Sequence, residues 1–135
     1  MTEMGSFIAV MALAALFGGM LFFGGVMTPL VFSKLPPDVA GPFIRAAFPR
    51  YYLFIIVTSA LAAIGLLIRG NPWYALLAVI VTGVTLWLWL EWMPHLNAVR
   101  DAGNQVDFQR GHRLSVWVNA VQFVIVFVLL AGLAV

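Results

Sequence analysis

The chain has 135 residues, of which 64% are hydrophobic and 9% charged, with a formal net charge of +2. A mean hydropathy of +1.05 excludes a water-soluble domain, and the few cations sit in connectors, which speaks for topology and against nucleic acid. The lack of cysteine excludes disulfides, thiolate metal sites and dithiol redox chemistry.

A membrane-crossing helix takes about 20 apolar residues, so this length holds four spans, short connectors and no second domain. The expected fold class is all-α integral membrane: one four-transmembrane-helix bundle over residues 1–135, spans about 7–32, 51–68, 73–92 and 114–134, with a short interfacial helix between spans 1 and 2.

The apolar run Phe7 to Phe32 is longer than a signal peptide's apolar region and has no basic leader, so it reads as a retained first span. Ala14, Phe17, Gly18, Leu21, Gly24, Gly25 and Thr28 share a helix face, and small residues there predict close approach of another helix. Met20 and Met27 read as packing rather than soft-metal ligands. Pro29 is expected to bend or end the span.

Lys34-Leu35-Pro36-Pro37-Asp38 marks a prolyl break. Val39 to Phe48 follows, with Phe43, Ala46 and Ala47 on one side and Arg45 exposed, which predicts a helix lying at the membrane surface. Pro49 predicts a second break. Arg50, Tyr51 and Tyr52 then open the second span at interface depth, and Arg69-Gly70-Asn71-Pro72 closes it as a tight turn.

Trp73 and Trp92 bracket the third span as interfacial anchors. Inside it, Thr82 and Thr85 are expected to bond their own backbone four residues back. At its end Glu91 and His95 share a face with Val84 and Trp87, and Pro94 predicts a kink. The polar stretch Asn97 to Arg110 carries a Gly103-Asn104 turn signal and Asp107 as the expected cap of the last helix.

The fourth span holds the main anomaly. His112, Ser115, Asn119 and Gln122 fall on one narrow arc of the helix. Gln122 lies about 12 Å along the axis from Leu114, too deep in a hydrocarbon core about 30 Å thick to snorkel to water. The stripe must therefore face other helices, and Glu91 and His95 sit at the level of His112.

Three readings follow. In the first, Asn119 and Gln122 bridge helices through hydrogen bonds while Glu91 pairs with an arginine. In the second, Glu91, His95 and His112 form a two-histidine, one-carboxylate set for a transition metal, or the two histidines hold haem. In the third, Glu91 is the titrating group of a small proton-coupled transporter. Ser115 lies three residues from His112, but no carboxylate orients that histidine, so hydrolase chemistry is not expected. Phosphate-binding loops and dinucleotide fingerprints are absent.

Lys34, Arg45, Arg50, Arg100, Arg110 and Arg113 cluster in the first and third connectors, against Arg69 alone in the middle one. The positive-inside tendency puts both basic connectors in the cytoplasm and both termini outside, most simply in a bacterial inner membrane.

Two blocks resemble the transmembrane protein 205-like family of four-helix membrane proteins. The first is Gly24-Gly25-Val26-Met27-Thr28-Pro29-Leu30-Val31-Phe32 through Leu35-Pro36, Ala40-Gly41 and Phe48-Pro49-Arg50-Tyr51-Tyr52. The second is Met93-Pro94 through Asp101, then Phe108, His112, Ser115-Val116 and Asn119. The resemblance marks Thr28, Pro29, Pro49, Tyr51, Pro94, His112 and Asn119 and implies the fold without an activity. More distantly, the layout is similar to four-helix haem proteins of the protoporphyrinogen-oxidase type. The favoured expectation is a non-enzymatic membrane component, an accessory subunit of a larger membrane complex or a homo-oligomer, with no cofactor. Its polar pocket would lie at the cytoplasmic helix ends, formed by Glu91, His95, His112, Ser115, Asn119 and Gln122. The alternatives remain a haem or metal protein and a proton-coupled transporter.

Overall fold

Three short breaks divide the chain. At the first, Leu35 is extended and Pro36 follows it with φ −59° and ψ 151°, conformations no α-helix accommodates. At the second, Gly70 takes a left-handed φ of 90° and Asn71 caps the next helix, its side chain accepting from Tyr74 N at 3.4 Å. At the third, Gly103 takes φ 83°, and Asn104 caps by accepting from Asp107 N at 3.2 Å. The cap is thus Asn104 rather than Asp107. The carboxylate instead accepts from the Asn104 side chain, Nδ2 donating at 2.8 Å.

Between the breaks, the computed structural model, which describes residues 2–135, forms four long helices. These are α1 (Thr2–Lys34), α2 (Pro37–Arg69), α3 (Pro72–Asp101) and α4 (Gln105–Ala134), each long and apolar enough to cross a membrane. With no strand among the described residues, the fold is an all-α four-helix membrane bundle.

Residues 39–48 do not form a separate interfacial helix. They are the opening turns of α2, which runs unbroken through Pro42 and Pro49. At about 1.5 Å per residue, 33 residues reach about 50 Å, so these turns extend past a hydrocarbon core of about 30 Å. Beside Pro49, Arg50 Nη1 donates 2.9 Å to Ala46 O. Tyr51 and Tyr52, expected at the membrane interface, are buried inside the bundle.

Pro29 and Pro94 are absorbed by one device. Each follows a π-helical turn, Phe23–Met27 in α1 and Leu88–Trp92 in α3. The residue ahead of each proline closes the wide turn: Thr28 N bonds Phe23 O and Met93 N bonds Leu88 O. A proline has no N–H to give and its ring crowds the carbonyl four residues back, and widening the preceding turn relieves that crowding without ending the helix.

The core lies mainly along α1, α2 and α3. Gly5, Ala9, Ala12, Leu13, Leu16 and Met20 form the buried face of α1. A Cβ on Gly65 would stand 2.6 Å from Ala9 N and 2.8 Å from Gly5 O, so the α1 and α2 backbones touch at that point. The seam is not the face expected from Gly18, Gly24 and Gly25, all three of which are exposed. α4 meets α1 through Phe17, stacked 4.9 Å from Phe123 and tilted against Phe127 at 6.0 Å.

Candidate functional site

The polar groups at mid-depth are consumed in holding helices together. Thr82 and Thr85 donate to the carbonyls of Ala78 at 3.1 Å and Val81 at 2.7 Å, as expected from their sequence. Both also serve a neighbour. Ser59 and Thr82 share a hydrogen bond of 2.6 Å between α2 and α3, and Gln122 Nε2 donates 2.9 Å to Thr85 Oγ1 and 3.3 Å to Val81 O. Gln122 Oε1 is buried with no partner among the described residues.

One turn nearer the basic connectors, Tyr51 Oη donates 2.9 Å to Asn119 Oδ1 and ties α2 to α4. Ser115 Oγ donates back to Gly111 O at 3.3 Å, which engages the hydroxyl in its own helix. His112 lies parallel to Phe108 with centroids 5.9 Å apart and edge-on to Phe48 at 6.4 Å. Trp92, expected as an interfacial anchor, donates Nε1–H to Gly111 O at 3.2 Å. A Cβ on Gly111 would collide with the Leu96 side chain, so glycine there lets α3 and α4 close together.

At this end of the bundle, α2 and α3 are joined by Arg45 and Asp101, whose two hydrogen bonds measure 2.9 and 3.0 Å. The next cation behaves differently. Arg100 makes no ion pair among the described residues. Its guanidinium carbon stands 5.1 Å over the Phe108 ring, and a Cβ on Gly41 would approach Arg100 Nη2 to 2.9 Å. Gly41 leaves the room that the guanidinium occupies.

Two cavities adjoin here. The smaller, about 220 Å³, is lined by Arg45, Asn97, Arg100 and His112 among aromatic and aliphatic walls that include Phe48, Tyr52, Trp92 and Phe108. The larger, about 450 Å³, runs between α1 and α4 along Leu21, Gly24, Gly25, Thr28, Val116, Asn119, Ala120 and Val124, with Tyr51 and Tyr52 on its α2 side. Phe32, Phe48, Tyr52, His112 and Ser115 line both. Leu21, Gly24, Gly25, Val116, Ala120 and Val124 are exposed, so the larger cavity is a groove open to the bundle's lipid-facing surface. The small-residue face of α1 therefore opens a groove below the Phe17–Phe123 contact rather than seating a helix.

The sequence-predicted set is only partly assembled. His112, Ser115 and Asn119 line the cavities, whereas Gln122 is a buried rung between α3 and α4. Glu91 and His95 are exposed and line neither cavity, and His95 lies 5.4 Å from the Trp92 ring. Among the described residues, no three His, Asp or Glu side chains form a group able to hold a metal ion. Thr28 and Tyr51 border the groove, while Pro29 and Pro94 follow the two π turns that bring Gly24, Gly25 and Trp92 to the cavities. The aromatic and cationic walls, Phe48, Tyr52, Arg45 and Arg100, and the amide of Asn97 were missed as site residues. Their signal was the alternation of aromatics and arginines across both basic connectors.

No curated protein and no solved structure matches the chain. Residues 11–105, from the first turns of α1 to the start of α4, match a domain of unknown function, DUF4149. The match covers most of the chain and includes both π turns, Gly41 and Arg100, and the protein therefore belongs to the DUF4149 family.

Proposed function

We propose that the protein is a non-enzymatic membrane component whose pocket, at the basic end of the bundle, holds a ligand drawn sideways from the bilayer. One observation carries this reading: an apolar groove open to lipid continues, through shared walls, into a cavity lined by cations and aromatic rings. Pockets of a few hundred Å³ with apolar walls and a few placed polar groups are the usual form of small-molecule sites. Catalysis is not favoured, because Ser115 is engaged with its own helix and no acidic residue is among those lining either cavity. Nor does any observation favour a relay or metal role for Glu91 and His95.

The same reading places the basic connectors in the cytoplasm, since Lys34, Arg45, Arg50, Arg100, Arg110 and Arg113 gather at one end and Arg69 stands at the other. A component that presents a bilayer ligand in this way suits an accessory subunit or a small homo-oligomer. The likeness of both connector blocks to the transmembrane protein 205-like group is compatible, because no catalytic set comes with it.

Gly24 provides the test. A Cβ there has nothing within 4 Å and Gly24 lines the groove, so Gly24→Leu adds bulk at the groove wall rather than in the core. Native mass spectrometry of the purified protein is expected to find a retained amphiphile in the wild type and to lose it in Gly24→Leu at unchanged melting temperature. Equal retention by both proteins would remove the reading.

A further inference from the structure

Resting on the reading above, we propose that the ligand is an amphiphile with a phosphate-type anionic head, which Arg100 receives in the smaller cavity while its hydrocarbon chain lies in the groove between α1 and α4. The charge balance of the site motivates the choice of head. Arg45 and Arg100 both line the smaller cavity, His112 stands at its junction with the groove, and no carboxylate is among the lining residues. Arg45 is already neutralised by Asp101. Among the described residues Arg100 makes no ion pair and no hydrogen bond, the adjacent Asp101 carboxylate being taken up by Arg45. Its guanidinium rests on the Phe108 ring face in the space left at Gly41, contacts that leave its N–H donors unused.

A planar guanidinium with free donors pairs with phosphate oxygens two at a time, and it does so most strongly where aromatic walls keep water out. Asn97 adds an amide beside it. A soluble anion would need none of the apolar groove, whereas an uncharged lipid would leave Arg100 unmatched. The two compartments together select a molecule with both ends.

The test compares amphiphiles that share one chain and differ in head: phosphate, trimethylammonium and hydroxyl, with inorganic phosphate as a fourth probe. Binding to the full-length protein in mild detergent is read for the wild type, Arg100→Gln and Arg100→Lys. The phosphate-headed compound is expected to bind the wild type about tenfold more tightly than the hydroxyl-headed one, the effect of a single charge-assisted pairing. Arg100→Gln should bring it down to the hydroxyl level, and Arg100→Lys should restore part of the difference. Hydroxyl-headed binding by Arg100→Gln reports that the groove is intact in that variant. Equal binding of all three heads by the wild type would overturn the anionic head and leave the bilayer-ligand reading standing. Failure of the wild type to bind any of them would overturn both. Inorganic phosphate binding as tightly as the phosphate-headed amphiphile would assign the site to a soluble anion and overturn the amphiphile.

Discussion

Gln122 and Asn119 are both amides on the membrane-buried part of α4, yet they are satisfied to different degrees. Asn119 accepts from Tyr51 Oη at the groove wall, whereas Gln122 bonds α3 through its nitrogen and leaves Oε1 buried without a partner among the described residues. Interhelical hydrogen bonds in membranes average about 0.6 kcal/mol, and an unpartnered buried oxygen opposes that gain. Gln122→Leu is therefore expected to change stability by less than about 1 kcal/mol, checked by reversible unfolding in detergent micelles. A loss several times larger would mean that Oε1 has a partner, such as a buried water. That both amides bridge helices was legible in the sequence, because hydrocarbon leaves a polar group no other choice. Their partners were not. Tyr51 and Thr85 lie 68 and 37 residues away, and Tyr51 looked like an interfacial anchor rather than a buried donor.

Helix by helix, the errors in face assignment within α1 and α3 share one physical cause. Face assignments assume about 100° per residue throughout, and a π turn places an extra residue in the turn and rotates everything beyond it. In α1 the turn at Phe23–Met27 separates the alignment of Gly24, Gly25 and Thr28 from that of Ala14 and Gly18. In α3 the turn at Leu88–Trp92 contains Glu91 itself and breaks its alignment with Val84. Pro29 and Pro94, expected to bend or kink their helices, follow π turns without ending them, the break at Pro36-Pro37 is present, and only Pro49, expected as a break, interrupts nothing. The tight seam of α1 went unseen because it uses single small residues, Gly5 and Ala9 against Gly65, rather than a run of them. Gly65→Ala forces the Cβ against the α1 backbone, which cannot yield as a flexible side chain would. It is expected to destabilise the protein by about 1–3 kcal/mol, while Gly18→Ala, facing open space, stays near neutral in the same thermal melts. Equal effects at the two glycines would contradict the close approach of α1 and α2.

On the scale of the whole molecule, four-helix membrane architecture was legible from composition and run length alone, because about 20 apolar residues per span is a hard requirement of the bilayer. The pocket was legible only in part: His112, Ser115 and Asn119 were expected in it and line the cavities, but its other walls come from helices drawn together at one end by Arg45 and Asp101 and parted along α1 and α4. The chain contains no cysteine, so single cysteines report topology against a silent background. Ala102→Cys, in the turn between α3 and α4, is expected to resist a membrane-impermeant maleimide added outside intact cells, and Asn71→Cys, in the turn between α2 and α3, to react. The reverse pattern would turn the bundle over and place the pocket on the outer side.

Photo-crosslinking with an amphiphile that carries a diazirine in its chain tests the bilayer-facing pocket most directly. Adducts mapped by peptide mass spectrometry are expected to concentrate on the groove walls, at Gly24, Gly25, Val116 and Ala120, and to be competed by the unlabelled compound. Adducts spread evenly over other lipid-facing positions such as Met11, Leu61 and Val79, without competition, would show that the groove holds nothing beyond bulk lipid.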